Sequence, residues 1–182
     1  TDKGSYSFGA GYYLDQSPIP TQGFERYTLN GSVDQSVGEY IRIGFTTNTN
    51  YSMNTGNQVD MYAILSKSPL VNPYNEDGTF KTLIDMPQDT KQSVMTRETI
   101  AALGERWVNE TMNFASYNNA FAEIKVPGVE GLSYRVNVGM NYRTSKNGSF
   151  TGKGVNNSDP NYPNSASVQH QETTNWVVEN VL

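Results

Sequence analysis

Cysteine is absent from this chain, and histidine occurs once, as His170. Without cysteine there can be no disulfide and no thiolate metal site, and one histidine excludes a site built from several histidines of this chain. Charged residues make up only 17% of the sequence, with 18 acidic against 13 basic residues. Because no basic stripe is present, nucleic-acid binding is not expected.

Long apolar runs are also missing, and none approaches the roughly 20 residues that a membrane-spanning helix needs. A membrane protein is not thereby excluded, because a barrel strand crosses with about 9–11 alternating residues. The mean hydropathy of −0.60 is compatible with that arrangement. The chain starts at Thr1 without a methionine and stops at Leu182 inside a predicted strand, so we expect a fragment or a processed product.

Strict alternation of apolar and polar residues is the main structural signal. In the clearest run, residues 132–143, Tyr134, Val138 and Tyr142 fall on one face, and Asn137 and Asn141 fall on the other. Similar runs predict six strands, over residues 5–15, 26–34, 41–52, 118–126, 132–143 and 174–182. The pattern therefore predicts an all-β fold, an antiparallel meander of about six strands.

The predicted connections alternate between short and long. Residues 35–39 and 127–131 form tight turns, whereas residues 16–25, 53–117 and 144–173 form longer loops. Short turns at one end and long loops at the other are typical of a transmembrane β-barrel, and tyrosines near the strand ends suit its aromatic belts. The alternative is a soluble sheet with one solvated face.

The long connection 53–117 is predicted to contain one or two short helices, over residues 59–67 and 96–110. Thr96 is a plausible N-cap for the second helix, in which Ile100, Leu103 and Trp107 follow the helical spacing. The segment 144–173 is rich in glycine, asparagine, serine and proline and is predicted to be an irregular loop.

No residue pattern predicts an enzyme, a cofactor or a metal site. His170 lies in a polar segment without a partner that would position it as a base, and Glu76-Asp77-Gly78 reads as a turn. Aromatic loop residues are the candidates for ligand contact, because they can stack on sugar rings or peptide side chains. These candidates are Trp107, Tyr74 and Tyr162, and the alternative for Trp107 is packing of its helix against the loop.

Several segments together resemble one family. They are residues 24–29, 34–40 and 43–44, the stretch 63–78 with its Ser-Pro-Leu-Val-Asn-Pro-Tyr core, and the strands 134–142 and 176–182. In order and spacing they resemble the barrel of SusC/RagA-type TonB-dependent transporters over nearly the whole chain. The resemblance implies that residues 1–182 are an internal barrel segment without a plug domain, with 53–117 as a long extracellular loop.

The resemblance also implies a function. Transporters of this type import oligosaccharides or peptides across the Gram-negative outer membrane with energy coupled through TonB, and a SusD-like surface lipoprotein caps their extracellular loops. TonB itself would act through parts absent from this chain. About six strands cannot close so large a barrel, so the segment alone is not expected to transport. The alternative is a soluble β-rich carbohydrate-binding module.

Overall fold

The computed structural model describes residues 4–59, 62, 65, 72–81, 83–86, 90–93, 96–155, 159 and 161–182. In this part of the chain the strands are β1 (Gly4–Gln16), β2 (Gly23–Val37), β3 (Ile41–Thr55), β4 (Leu83–Met86), β5 (Thr90–Ser93), β6 (Trp107–Lys125), β7 (Ser133–Thr151) and β8 (Ser165–Val181). One helix, α1 (Arg97–Leu103), precedes β6 and continues into a 3₁₀ turn at Gly104–Arg106.

Six of these strands form one antiparallel sheet in the order β1-β2-β3-β6-β7-β8. Strands that are neighbours in this sheet also follow one another along the chain, except for β3 and β6. These two strands pair although the connection between them contains the separate β4–β5 hairpin. The predicted all-β meander of six strands is therefore confirmed. The small β4–β5 hairpin was not predicted.

The connections lie at the two ends of the sheet as the sequence predicted, but length separates them only in part, because the turn 126–132 has seven residues and the connection 17–22 has six. The two tight turns, at 38–40 and 126–132, lie at one end of the sheet, where the Lys125 N–H donates to the Tyr40 carbonyl at 2.8 Å. Gly38 and Gly128 adopt φ values of 70° and 83°, which glycine accepts without strain. The connections 17–22, 56–106 and 152–164 lie at the opposite end, called the loop end here.

The strands reach further toward the loop end than predicted. β6 begins at Trp107 instead of 118, β7 continues to Thr151, and β8 begins at Ser165, so the prediction of an irregular loop over 144–173 was wrong for most of that segment. The extensions of β7 and β8 are mainly polar and weak as strands by themselves, whereas the extension of β6 also carries apolar and aromatic residues. Cross-strand pairs hold them, such as the bond from Asn147 Nδ2 to Thr111 Oγ1 at 2.7 Å.

The helix prediction over 96–110 was right at its start and wrong at its end. The Thr96 hydroxyl caps α1 by accepting from the Thr99 N–H. The Thr99 hydroxyl accepts from the Thr96 N–H, which completes a capping box. The helix stops at Gly104, which has a φ of 45°. Most of the other predicted helix, 59–67, lies outside the described residues. Tyr62 and Leu65 are described, and both are helical. Within the described part of the chain, no helix has the length and apolar character needed to cross a membrane.

The hydrophobic core of the described residues is small and lies at the loop end. It consists of Ile100, Trp107 and Val155, with Val59 and Leu103 packed against it. Away from this cluster, large apolar side chains of the sheet remain exposed. The sheet is therefore not held together by a core under one of its faces.

Candidate functional site

One face of the sheet is apolar across all six strands, and is called the apolar face here. Directly paired residues share a face, so one row runs through Tyr6, Val33, Phe45, Ala120, Val138 and Val178. In this row Val138 is 42% exposed, and its neighbours Tyr134 and Met140 on the same strand are exposed as well. A contiguous apolar surface of this extent marks a site that is normally covered by another phase or partner.

Aromatic side chains border the apolar face toward the loop end. Tyr12, Tyr27, Tyr51 and Phe114 are paired across β1, β2, β3 and β6. The ring centroids of Tyr12 and Tyr27 lie 4.9 Å apart, and Tyr142 lies 6.1 Å from Phe114. Near the turns Tyr134 marks the other border, and the eight residue steps from Tyr134 to Tyr142 correspond to about 26 Å along β7.

Beyond the aromatic border the same face carries charged and polar groups among its apolar residues. On β7, Lys146 lies two residues beyond Thr144. Lys146 pairs with His170 on β8. The Thr144 hydroxyl lies 2.9 Å from His170 Nε2, so the single histidine belongs to a strand and not to the loop expected for it. On β7 the apolar stretch is thus bounded at both ends, by Tyr134 near the turns and by Thr144 and Lys146 toward the loop end.

A small polar patch interrupts the apolar face between β3 and β6. Thr47 donates to Asn118 Oδ1 at 2.8 Å, Asn118 Nδ2 donates to Ser116 at 2.9 Å, and the hydroxyls of Thr49 and Ser116 lie 2.9 Å apart. These groups are hydrogen-bonded to one another within the sheet. A surface that faces an apolar phase requires such internal pairing of its polar groups.

The opposite face, called the polar face here, carries mostly amides and hydroxyls. Its asparagines lie on every strand from β2 to β8 of the main sheet, namely Asn30, Asn48, Asn50, Asn54, Asn109, Asn113, Asn119, Asn137, Asn141, Asn147 and Asn175. Hydroxyl pairs such as Ser7 and Ser32, 2.7 Å apart, continue this character onto β1. The polar face suits contact with water or with a polar partner.

Near the turn end of the polar face, ionic groups surround one aromatic ring. Arg42 donates two bonds of 2.8 Å to the Asp34 carboxylate. Arg135 lies 3.7 Å from Glu123, and its guanidinium stands 4.0 Å from the centroid of the Phe121 ring. The second guanidinium, of Arg42, stands 5.9 Å from the same ring. A ring between two cations on a hydrated surface is held by cation–π attraction as well as by packing.

Gly44 makes room for this ring. A Cβ at position 44 would overlap the Phe121 ring, so the ring lies directly on the Gly44 backbone. The groove beside the cluster has a volume of about 580 Å³ and is bordered by Asn137, Arg135 and Glu179. It offers both charges and amides, and therefore hydrogen bonds and ion pairs, but no arranged nucleophile and base. No group of three or more potential metal ligands occurs among the residues that the structure describes.

The three predicted ligand-contact residues have different settings. Trp107 is only 7% exposed and belongs to the small core, whereas Tyr74 is 43% and Tyr162 is 50% exposed. Tyr74 packs against Phe80, with 5.3 Å between ring centroids. No ring contact joins any two of the three among the described residues. The role of all three in ligand contact stays a prediction.

The turn that presents Tyr74 is fixed by its own hydrogen bonds. The Asp77 carboxylate accepts from the Thr79 hydroxyl at 2.6 Å and from the Thr79 N–H at 2.9 Å. These bonds favour the charged carboxylate and hold the pKa of Asp77 below its ordinary value. The earlier reading of Asp77-Gly78 as a turn is confirmed by the bond from the Gly78 N–H to the Asn75 carbonyl.

Sequence reasoning missed two groups of residues. The first is the Phe121 cluster, because the closeness of Gly44, Phe121 and the two arginines appears only once the register is known. The second is the set of hydrogen bonds around Trp107, which involves Asn57 and Gln22 from other loops. In the sequence the only signal was an apolar tryptophan at the end of a predicted helix.

Comparison with known proteins gives one partial similarity and no family model that matches the chain. The chain is 25% identical over 150 residues to the TonB-dependent receptor P39 of Formosa agariphila. The aligned part covers 82% of this chain and 13% of that receptor, so the chain spans a small share of its relative's length. Together with the six-stranded antiparallel sheet, this similarity supports the TonB-dependent receptor family for the chain.

Proposed function

We propose that this chain is part of the barrel wall of a TonB-dependent transporter of the SusC/RagA type. The transporter imports oligosaccharides or peptides across the outer membrane of a Gram-negative bacterium. The observation that carries this proposal is the apolar face, which is exposed across six strands and bordered by aromatic rings toward the loop end. In a transmembrane barrel such a face meets lipid.

The lengths of the strands support a lipid-facing role. The stretch from Tyr134 to Tyr142 is about 26 Å along β7, which at the usual strand tilt of about 35–45° spans roughly 18–21 Å of an apolar band about 25 Å tall. β6 and β7 each have 19 residues, more than the 9–11 that a crossing needs. The surplus lies beyond the aromatic border, where Lys146 and His170 occupy the same face. These strands therefore project past the bilayer at the loop end.

The polar face then lines the interior of the barrel. Its amides, hydroxyls and the paired charges around Phe121 can remain hydrated there or contact a polar domain inside the barrel. Both β1 and β8 are edge strands of the described sheet. Because unpaired backbone groups in lipid cost several kcal/mol each, further strands must pair with both edges in the membrane.

The loop end faces the cell exterior in this proposal. Short turns face the periplasm and long loops the outside in barrels of this class, which matches the turns at 38–40 and 126–132. A SusD-like surface lipoprotein would cap the loops, and Tyr74 and Tyr162, whose rings are exposed, would contact the ligand. TonB would couple energy through parts of the protein outside this chain. The segment contributes no catalysis.

Nitroxide scanning along β7 tests which face meets lipid. The natural full-length protein is used, with any cysteine outside this segment replaced, because the segment itself has no cysteine. In bilayers, labels at Val136→Cys, Val138→Cys and Met140→Cys should be relaxed strongly by dissolved oxygen, which concentrates in lipid. Labels at Asn137→Cys and Asn141→Cys, the matched controls, should respond less to oxygen. Equal oxygen responses on both faces would refute the lipid contact and favour a soluble carbohydrate-binding module, which should also stay monomeric without detergent.

The substrate class needs a cellular measurement. A strain lacking the gene should lose growth on its oligosaccharide or peptide source and should regain growth with the intact gene. Uptake should stop when the proton gradient is collapsed, because TonB coupling draws on that gradient. Uptake that persists without a gradient would contradict the energised part of the proposal while leaving the membrane location intact.

A further inference from the structure

The small core at the loop end joins parts of the chain that are far apart in sequence. Ile100 comes from α1, Trp107 from the start of β6 and Val155 from the connection between β7 and β8. All three side chains are at most 7% exposed. Two of the three connections at the loop end therefore share one cluster of buried apolar residues. In the described residues, the six-stranded sheet has no other such cluster.

Hydrogen bonds join the third connection to the same cluster. The buried Asn57 donates through Nδ2 to the Trp107 carbonyl at 2.7 Å. The Asn57 carbonyl in turn accepts from Gln22 Nε2 at 2.6 Å, and Gln22 lies in the connection between β1 and β2. Gln22 also closes its own loop, because its carbonyl accepts from the Ser17 N–H at 3.2 Å. Asn57 thus links Gln22 to Trp107.

Backbone contacts reinforce both links. The Gly152 N–H donates to the Arg106 carbonyl at 2.6 Å, and the Gly56 N–H donates to the Asn109 carbonyl at 2.8 Å. Gly56 has a φ of 104°, and a Cβ there would overlap the backbone of Gln22. The chain at Gly56 therefore approaches the first connection more closely than any larger residue would allow.

We propose that Trp107, Asn57, Gln22, Ile100 and Val155 form a loop latch, which makes residues 17–22, 56–59, 97–106 and 152–155 of the three loop-end connections order and open as one unit. Trp107 is the positioning residue at the centre of this latch. Its side chain contacts α1 and the last connection, and its carbonyl holds Asn57 and, through it, the first connection. The proposal concerns the cooperativity of the loops and stands whether or not the chain belongs to a transporter.

The physical basis is that no connection can leave the latch without exposing another. Moving the last connection removes Val155 from Trp107 and uncovers apolar surface. Moving the long connection breaks the bond from Asn57 to a carbonyl that is buried with it, and an unpaired buried carbonyl is costly. Local opening of a region held by few buried contacts is a cooperative event, which hydrogen exchange detects.

Hydrogen–deuterium exchange followed by mass spectrometry tests the latch in the natural full-length protein in detergent micelles. Trp107→Ala should accelerate amide exchange at least about tenfold in segments 17–22, 56–59, 97–106 and 152–155 together. The turns at 38–40 and 126–132, at the opposite end of the sheet, should keep their exchange rates. Where Trp107→Ala prevents assembly, the milder Val155→Ala should give the same pattern with a smaller acceleration.

Two further variants separate a shared unit from independent loops. Gln22→Ala removes the bond from the first connection to Asn57, so exchange should rise most in 17–22 and, to a smaller extent, in the other three segments, whereas a rise in 17–22 alone would indicate independent loops. Tyr62→Ala removes an exposed ring of the same long connection and should change none of the four segments, because Tyr62 is 81% exposed. The proposal is overturned if Trp107→Ala accelerates exchange only in 97–106, or if Tyr62→Ala accelerates exchange in all four segments.

Discussion

Replacing Val138 by arginine is the sharpest energetic test of the assignment of the two faces. Val138 lies on the apolar face, four residues from each of the two tyrosines, Tyr134 and Tyr142, that border it on β7. It pairs with Ala120 on one side and Val178 on the other, so no acidic side chain directly opposite could compensate a guanidinium. The position corresponds to the middle of the bilayer in the proposed orientation.

The expected cost follows from that depth. Arginine on the lipid face of a barrel costs about 2–4 kcal/mol at the midplane and about 0–1 kcal/mol near the interfaces. At 1.4 kcal/mol for each factor of ten, Val138→Arg should lower the folding equilibrium constant roughly 30- to 700-fold. The cost should be smaller for Met140→Arg, because residue 140 is closer to the aromatic border.

Reversible unfolding by guanidinium in phospholipid vesicles measures this change in free energy. The natural full-length protein is used, and a shift in the midpoint at constant slope gives the change in stability. Asn141→Arg is the matched control, because Asn141 lies on the same strand but on the polar face, opposite Tyr117 and Asn175. Its cost should stay below about 1 kcal/mol, as for most surface changes. If Asn141→Arg lowers the stability more than Val138→Arg does, the assignment of the two faces is wrong.

Two further predictions concern the polar face and the long connection. Gly44→Ala should destabilise the protein by about 1–3 kcal/mol, because its Cβ would displace the Phe121 ring, and the loss should shrink in the Phe121→Ala background when both are measured by guanidinium unfolding; equal losses in both backgrounds would contradict the contact. The pKa of Asp77 should be found below its ordinary value of 3.8 by carbon NMR of labelled aspartate, and Thr79→Val should raise it. Since the folded pKa is lowered, the turn should be stabilised at pH values above 3.8 and lose that stability as the pH falls through the lowered pKa. An unchanged pKa in Thr79→Val would show that the Thr79 hydroxyl is not the cause.

Local chemistry sufficed to predict the six strands of the main sheet and their order, but not the full lengths of these strands or the β4–β5 hairpin. Period-two alternation on residues such as Tyr134, Val138 and Tyr142 predicted both the strand and its apolar face, because successive side chains of a strand point to opposite sides. Glycine at positions 38 and 128 marked tight turns. Two such turns between neighbouring strands predicted hairpins, and the resulting antiparallel sheet is the one observed.

The register of strand pairing decided the features that these local patterns do not predict. Residues 144–151 contain serine, threonine, asparagine and glycine, which predict a loop by themselves, yet they form part of β7 because β6 and β8 both pair with them. Likewise, the meeting of Phe121 with Gly44 depends on a pairing between strands more than 70 residues apart in the chain. Neither feature has a local cause that a sequence window contains.

The sequence by itself determined which residues of each strand lie on the apolar face, because the alternation of side chains between two faces is a local property of extended backbone. Only the tertiary structure decided that Trp107 is buried at the loop end, since the atoms that cover it come from Ile100 and Val155 and its carbonyl is bonded by Asn57. Burial depends on what distant segments bring to a residue. For that reason the strands were predictable from alternation, whereas the latch that joins their loops was not.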